Sequence, residues 1–263
     1  HGLYGKPGYE CLPPLMTLIQ QARREAQRAG VPVLLLDGGD SSDRGVWESD
    51  ITKGRGNFAL LEAMGVQASV IGNGEALQWG RAALEKQAAS VHFPLLAANL
   101  VDCADRTRLA APGLKSGHLI EIEGVKIGLL GVTAMYPGGY DRFGYTALDP
   151  LPVLQTEAAA LRGLGAHMLI LLSHLGWGTP EEKAGWLDPH SITDDMAAQA
   201  CPELAVIVGG HSHSLLQTPL QVGDTLIVQA GEYGKHLGVL DLTLDAECGK
   251  VLDHRYTLLP TEG

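Results

Sequence analysis

The sequence predicts a mixed α/β fold, and three features carry that prediction. Helical periods alternate with short, uninterrupted apolar runs over the N-terminal part, a pattern that suits strands covered on both faces. A hairpin signal then breaks the alternation near the middle, and the C-terminal part reads as strands joined by a tight turn. βα units followed by hairpins fit a mixed arrangement of strands better than a purely parallel sheet.

Taken in order, Pro13 and Pro14 sit where a helix starts, and Leu15, Leu18, Ile19, Ala22 and Ala26 recur at helical spacing until Gly30 stops the run. Residues 31–36 follow as a short buried strand. The unit repeats as a helix near 57–64 with a strand at 68–71, then as a helix near 79–89 with a strand at 95–98. Residues 119–123 and 126–131 are predicted to form a hairpin turning at Gly124. Two further units are a helix over 152–164 with a strand at 168–172, and a helix over 193–200 with a strand at 204–208. The tail segments 225–229, 237–244 and 251–259 are predicted antiparallel, with a turn at Cys248, Gly249 and Lys250. The loop over 131–152 carries Tyr136, Pro137, Gly138, Gly139 and Tyr140, a composition suited to a substrate-facing rim.

With 263 residues and 45% hydrophobic content, the chain can bury a substantial core. Nineteen Lys plus Arg against 30 Asp plus Glu give a formal charge of −11, which repels nucleic acid polymers and anionic membrane surfaces. A small anionic substrate would need a concentrated local positive charge, and divalent cations supply one. Cys11, Cys103, Cys201 and Cys248 show no CxxC or CxxH spacing, so a zinc knuckle or thiol redox motif is not predicted. No run reaches the roughly 18 apolar residues of a membrane helix, so no membrane insertion is expected. The sequence opens at His1, and neither compartment nor oligomeric state is read from it.

Chemistry is expected where a polar residue directly follows an apolar strand, because α/β proteins place ligands beyond strand ends. One strand runs into Asp37-Gly38-Gly39-Asp40 and the next into Gly72-Asn73-Gly74-Glu75. Ser173-His174-Leu175-Gly176 closes a third, and Gly209-Gly210-His211-Ser212-His213 a fourth. Singly, an Asp after glycine is an ordinary turn residue and a histidine an ordinary packing or capping residue. Together they offer a mixed Asp, Asn and His donor set suited to Mn, Fe or Zn.

In order and spacing, Gly39-Asp40, Gly72-Asn73-x-Glu75, Ser173-His174-Leu175-Gly176 and Gly210-His211-Ser212-His213 resemble the calcineurin-like metallophosphoesterases, in wording closest to the 5'-nucleotidase and 2',3'-cyclic phosphodiesterase branch. The tail stretch Gln229-Ala230-Gly231-Glu232-Tyr233-Gly234-Lys235-His236-Leu237-Gly238 is similar to that branch too, and residues 36–73 also resemble the thiosulfohydrolase relatives. The resemblance implies a β-sandwich of two mixed sheets flanked by helices. It further implies two divalent metal ions, with Asp40 bridging both, Asn73, His174 and His211 on one, and His213 with the N-terminal segment at His1 on the other. Asp37 and Ser173 are expected to support those ligands.

Two departures from the family pattern stand out. The family's first strand ends in Asp-x-His-Gly, whereas this sequence starts at His1-Gly2, so the expected organisation is a single metallophosphoesterase domain over 1–263 that lacks its first strand and has no C-terminal nucleotide-specificity domain. Gly74 occupies the place of the histidine in Gly-Asn-His-Glu, and loss of a positioned proton donor costs on the order of 10²–10⁴ in rate. His236 is the weaker catalytic candidate that could stand in for it, beside Asn73. The expected activity is hydrolysis of a small phosphorylated substrate, of nucleotide or sugar-nucleotide kind, by hydroxide activated between two metal ions. The alternatives are a catalytically weak or silent metal-binding module and a thiosulfohydrolase-like hydrolase of sulfur esters.

Overall fold

The computed structural model describes residues 11–42, 45–178, 191–245 and 247–261. The helices are α1 (Leu12–Ala29), α2 (Trp47–Thr52), α3 (Arg55–Met64), α4 (Asn73–Gln78), α5 (Arg81–Ala88), α6 (Pro150–Gly163) and α7 (Asp194–Ala200). The strands are β1 (Leu36–Asp37), β2 (Ala68–Val70), β3 (Leu95–Leu96), β4 (Leu100–Asp102), β5 (Leu114–Lys115), β6 (Gly117–Ile122), β7 (Val125–Thr133), β8 (Tyr145–Ala147), β9 (Met168–His174), β10 (Val206–Gly209), β11 (Leu220–Val222), β12 (Thr225–Val228), β13 (His236–Leu244) and β14 (Val251–Pro260).

Two main sheets face one another. The smaller runs β1-β2-β3-β5 with every pairing parallel. The larger runs β11-β12-β10-β9-β7-β6, parallel through its centre and antiparallel at both edges. Side chains alternate across the larger sheet as strand geometry requires. Ile127, Leu129, Met168, Ile170 and Leu172 point inward to meet Ala68, Val70 and Leu96 of the smaller sheet. Leu130, Val132, Leu169 and Leu171 point outward under α6 and α7, against Leu154, Ala158, Leu161, Ala197 and Ala198. The outer side of the smaller sheet is closed by Phe58 and Leu61 of α3 and Leu84 and Ala88 of α5. The expected α/β arrangement of sheets flanked by helices is therefore met, although only the larger of the two sheets is mixed and the smaller is wholly parallel.

The first helix behaves as its pattern predicts, with prolines in its first turn and Gly30 at φ 67° closing it. Its Leu15 and Ile19 pack with Met64 and partly buried Leu237, which ties α1 to the β13–β14 hairpin. The strand predicted over 31–36 is shorter, because only Leu36 and Asp37 find partners, in Ala68 and Ser69. Upstream of them Val31 and Val33 are exposed. The helix predicted near 79–89 forms as α5, and a further short helix, α4, precedes it; the two are separated at Gly80, whose φ of 78° is left-handed and where a Cβ would lie 2.9 Å from the Phe143 ring. Within the predicted loop over 131–152 lie a 3-10 turn (Asp141–Phe143) and β8, which pairs with β4. In the tail, β13 and β14 form the antiparallel hairpin, while β12 is antiparallel to β11 but parallel to β10. All four cysteines are free thiols, Cys11 and Cys201 buried, and among the described residues no helix is long and apolar enough to cross a membrane.

Candidate metal centre

The parallel register of the two sheets brings β1, β2, β9 and β10 to an end on one side of the sandwich, and the polar loops that follow converge there. Asp40, His174 and His211 each offer a ligand atom, and these atoms all lie within 4.8 Å of one another. His174 Nε2 is 3.2 Å from Asp40 Oδ2 and 3.1 Å from Asn73 Oδ1. The His174 and His211 rings are 5.1 Å apart between centroids. Asp40, His174 and His211 are buried and Asn73 is half-buried.

His174 and the turn that carries Asp40 are held from behind. His174 Nδ1 donates to the Gly38 carbonyl at 2.7 Å, which turns Nε2 toward Asp40 and Asn73. The backbone around that nitrogen is glycine on both sides, since a Cβ at Gly39 or Gly210 would lie 2.9 or 3.0 Å from His174 Nδ1. Asp37 accepts from Gly39 N, Ser41 Oγ and, at 2.6 Å, Ser69 Oγ, so the turn into Asp40 is fastened to β2. Asp40 and His211 have φ of 56° and 68°, a left-handed backbone that non-glycine residues adopt at an energetic cost and that collects at functional sites. Ser173 Oγ donates to the buried Asp194 at the start of α7, just before His174.

Electrostatics sort the protonation states. Burial pushes the Asp40 carboxyl up, but the His174 imidazole and the Gly74 N–H outweigh it and hold Asp40 well below the usual carboxylate range. Burial pushes His174 down, and the Asp40 charge, the Gly38 carbonyl and Glu75 together reverse that, so its net direction is up. Burial, with His174 alongside, pushes His211 down to about 3, which leaves it a neutral imidazole. An ionised carboxylate and a neutral imidazole are the forms in which these groups bind metal, and His174 reaches that form by releasing one proton. The donor set therefore fits a divalent ion.

The remaining predicted residues are placed differently. His213 lies outside the compact group, with Nδ1 2.6 Å from Glu232 Oε2. His236 opens β13, and its Nδ1 is buried with no hydrogen bond among the described residues. His1 falls outside the described residues. Gly74 contributes its backbone instead of an imidazole, donating to Asp40 Oδ1 at 2.5 Å, and a Cβ there would sit 2.9 Å from that same oxygen.

Two contributors were not assigned roles from the sequence. Glu75 is buried and accepts from the N–H groups of Gly72, Asp40 and Ser42 and from Ser42 Oγ. It thereby locks the β1 and β2 loops together, and its place three residues after Gly72 is a capping signature that could have revealed it. Tyr136, from the loop expected to form a rim, stands edge-on to His211 with 6.3 Å between centroids. Buried Tyr140 backs it at 5.9 Å and bonds the Ala134 carbonyl.

No family model matches the chain. The uncharacterized metallophosphoesterase YunD of Bacillus subtilis is 32% identical over 241 residues, covering 90% of this chain and 48% of that protein. A 5'-nucleotidase of Vibrio cholerae is 30% identical over 273 residues, covering 93% of this chain and 46% of the relative. The chain thus spans about half the length of the curated relatives it matches. Among solved structures, the sulfate thiohydrolase SoxB of Thermus thermophilus superposes with a TM-score of 0.77 at 25% identity, over 94% of this chain and 42% of that one. The calcineurin-like phosphoesterase YfkN of Bacillus subtilis gives 0.78 at 20% identity, over 95% and 82%, a likeness of fold.

Paired sheets with histidine, carboxylate and amide donors gathered beyond their strand ends define a metallophosphoesterase domain. The chain belongs to the metallophosphoesterases, on the branch that holds the 5'-nucleotidases, and its fold is that of the calcineurin-like phosphoesterases.

Proposed function

We infer that the chain hydrolyses small phosphate esters of nucleotide or sugar-nucleotide kind, using divalent metal ions held by Asp40, Asn73, His174 and His211, with His213 serving a second ion. The observation that carries this reading is the convergence of Asp40, His174 and His211 ligand atoms within 4.8 Å at the ends of strands from both sheets. When bound, such ions supply Lewis acidity to a phosphoryl oxygen and lower the pKa of water enough for it to attack at neutral pH.

The chain's own residues set the conditions for that chemistry. Asp40 stays ionised and His211 stays neutral across the physiological range, so neither needs to change state when substrate arrives. The Gly38 carbonyl fixes the tautomer of His174. Tyr136 borders His211 at the rim, where its ring limits solvent beside the reacting group. Gly74 itself supplies no side-chain proton donor, so a leaving group must depart without protonation from that position. Esters with acidic leaving groups, such as the pyrophosphate link of a nucleotide sugar or a nitrophenyl phosphate, fit this site better than a nucleoside monophosphate.

The test is a metal-stripped preparation of the full chain, reloaded with Mn or Zn and assayed on UDP-glucose, AMP, bis-nitrophenyl phosphate and a thiosulfate ester. The reading expects metal-dependent turnover of phosphate substrates, abolished by Asp40→Asn. Metal binding without any turnover would instead support the silent module that Gly74 motivates, and selective turnover of the thiosulfate ester would support the sulfur-ester reading that the SoxB likeness motivates.

A further inference from the structure

The tail motif from Gln229 to Lys235 is built into the wall of the site. Gln229 Nε2 donates to the Gly210 carbonyl at 2.9 Å, and its Oε1 accepts from Ser212 Oγ at 2.9 Å. Leu216 N reaches the Gln229 carbonyl and Gly231 N the Ser214 carbonyl, so the segment after β12 is stitched along the loop that carries His211 and His213. The chain then reverses in a tight turn. Tyr233 and Gly234 have φ of 53° and 70°, and Lys235 N closes on the Glu232 carbonyl at 3.0 Å, the signature of a type I′ turn.

That turn fixes Glu232 from two sides. Lys235 Nζ lies 2.7 Å from Glu232 Oε1, which leaves Oε2 to meet His213 Nδ1 at 2.6 Å. Thr261 N anchors the Lys235 carbonyl at 2.8 Å, so the lysine's backbone is itself held. A carboxylate only accepts, so Nδ1 of His213 carries the proton and Nε2 keeps its lone pair. Tyr233 packs edge-on against the same imidazole at 5.5 Å between centroids, closing the remaining freedom of the ring.

We propose that Glu232 is a positioning residue for the metal centre: braced by Lys235, it sets the tautomer and orientation of the His213 imidazole so that Nε2 is presented to a divalent ion. Carboxylates behind ligating histidines raise ligand basicity, and their removal weakens metal affinity about 10- to 100-fold. The inference rests on the reading in which His213 ligates an ion, and the experiment separates the two.

The full chain is stripped of metal and titrated calorimetrically with manganese chloride, as wild type and as Glu232→Ala, Glu232→Gln, His213→Ala, Asp40→Asn and the Glu232→Ala/His213→Ala double variant. Glu232→Ala is expected to weaken one class of manganese site about 10- to 100-fold. Glu232→Gln, whose amide oxygen still accepts from Nδ1, is expected to lose less. The double variant is expected to bind no more weakly than His213→Ala alone, because Glu232 acts through His213. Wild-type affinity in Glu232→Ala, or an equal loss with and without His213, overturns the proposal. If His213→Ala binds manganese as wild type does while Asp40→Asn does not, His213 is not a ligand, and both the positioning role and the second site fall while the Asp40 centre stands. Should Glu232→Ala not fold, ¹⁵N-histidine NMR of the metal-free wild type above pH 8 decides: a His213 signal protonated at Nε2 instead of Nδ1 overturns it.

Discussion

The backbone N–H of Gly74 lies 2.5 Å from Asp40 Oδ1, so the residue standing where the family pattern has histidine touches the central carboxylate with its main chain. This approach depends on the absence of a side chain, since a Cβ at position 74 would lie 2.9 Å from Asp40 Oδ1 and 3.0 Å from the Ser42 carbonyl oxygen. Gly74→Ala is therefore expected to destabilise the fold by about 1–3 kcal/mol through overpacking. Gly74→His is expected to do at least as much, and to give no gain in rate while the loop keeps this path. Thermal unfolding and steady-state assays of both variants check this, and a faster, equally stable Gly74→His enzyme would refute it.

Glu75 binds three backbone N–H groups and one hydroxyl from inside the protein. Hydrogen bonds to a charged group contribute about 1.5–3 kcal/mol, and removing the acceptor also strands buried donors. Glu75→Ala is expected to lose roughly 3 kcal/mol or more by urea denaturation, together with metal affinity, since Asp40 N is one of the released donors. Glu75→Gln should fall between it and wild type. Its carboxyl is shifted upward, by burial first and by Asp40 second, so the metal-free protein should tolerate that neutral replacement better than the alanine.

How much of this was legible in the sequence depends on what each residue answers to. The strands feeding His174 and His211 are continuous apolar runs, and the one feeding Asn73 is apolar apart from Ser69; in these three places the run marks a buried parallel strand. Asp40, Asn73, His174 and His211 could be nominated because each follows such a run and because their order resembles a family. The strand at 31–36 misled, because its apolar residues signal burial whereas pairing is set by where β2 lies, and Val31 is left exposed. Tyr136 and Glu232 escaped assignment because their roles are contacts across the chain, to residues 75 and 19 positions away, which no local pattern encodes; Glu75 left a local capping signature after Gly72, but its bonds to Ser42, 33 positions away, left none.

The two sheets approach closely at Gly131 of β7, where a Cβ would lie 2.2 Å from the Leu96 Cβ of β3. Leu96 is fully buried, and no exposed flexible end is available to yield. Gly131→Ala is expected to cost about 1–3 kcal/mol. Because His174 pairs in register with Thr133 two residues further along β7, the change should also loosen the metal centre. Denaturation midpoints and manganese affinity should fall together, and a loss of stability with unchanged affinity would show the sheet contact to be independent of the site.

The last prediction concerns pH. His174 lies between two acceptors, the Gly38 carbonyl at Nδ1 and the Asp40 carboxylate at Nε2, so in the metal-free protein it holds a proton above its ordinary value of 6.5. A group whose folded pKa is raised stabilises the fold below its unfolded pKa, and that contribution is lost as pH climbs through the raised value. A metal ion and this proton compete for Nε2. Metal affinity is therefore expected to rise with pH, up to tenfold per unit for one displaced proton, from below 6.5 until His174's raised pKa is passed, and then to level off. His211, neutral down to about 3, should add nothing to that slope. Calorimetry at several pH values in buffers of different ionisation enthalpy counts the proton released, and His174→Asn should flatten the dependence as well as weaken binding. An affinity that stays constant between pH 6 and 8 would mean that His174 is already neutral, and with it the Asp40–His174 ion pair would be lost from this account.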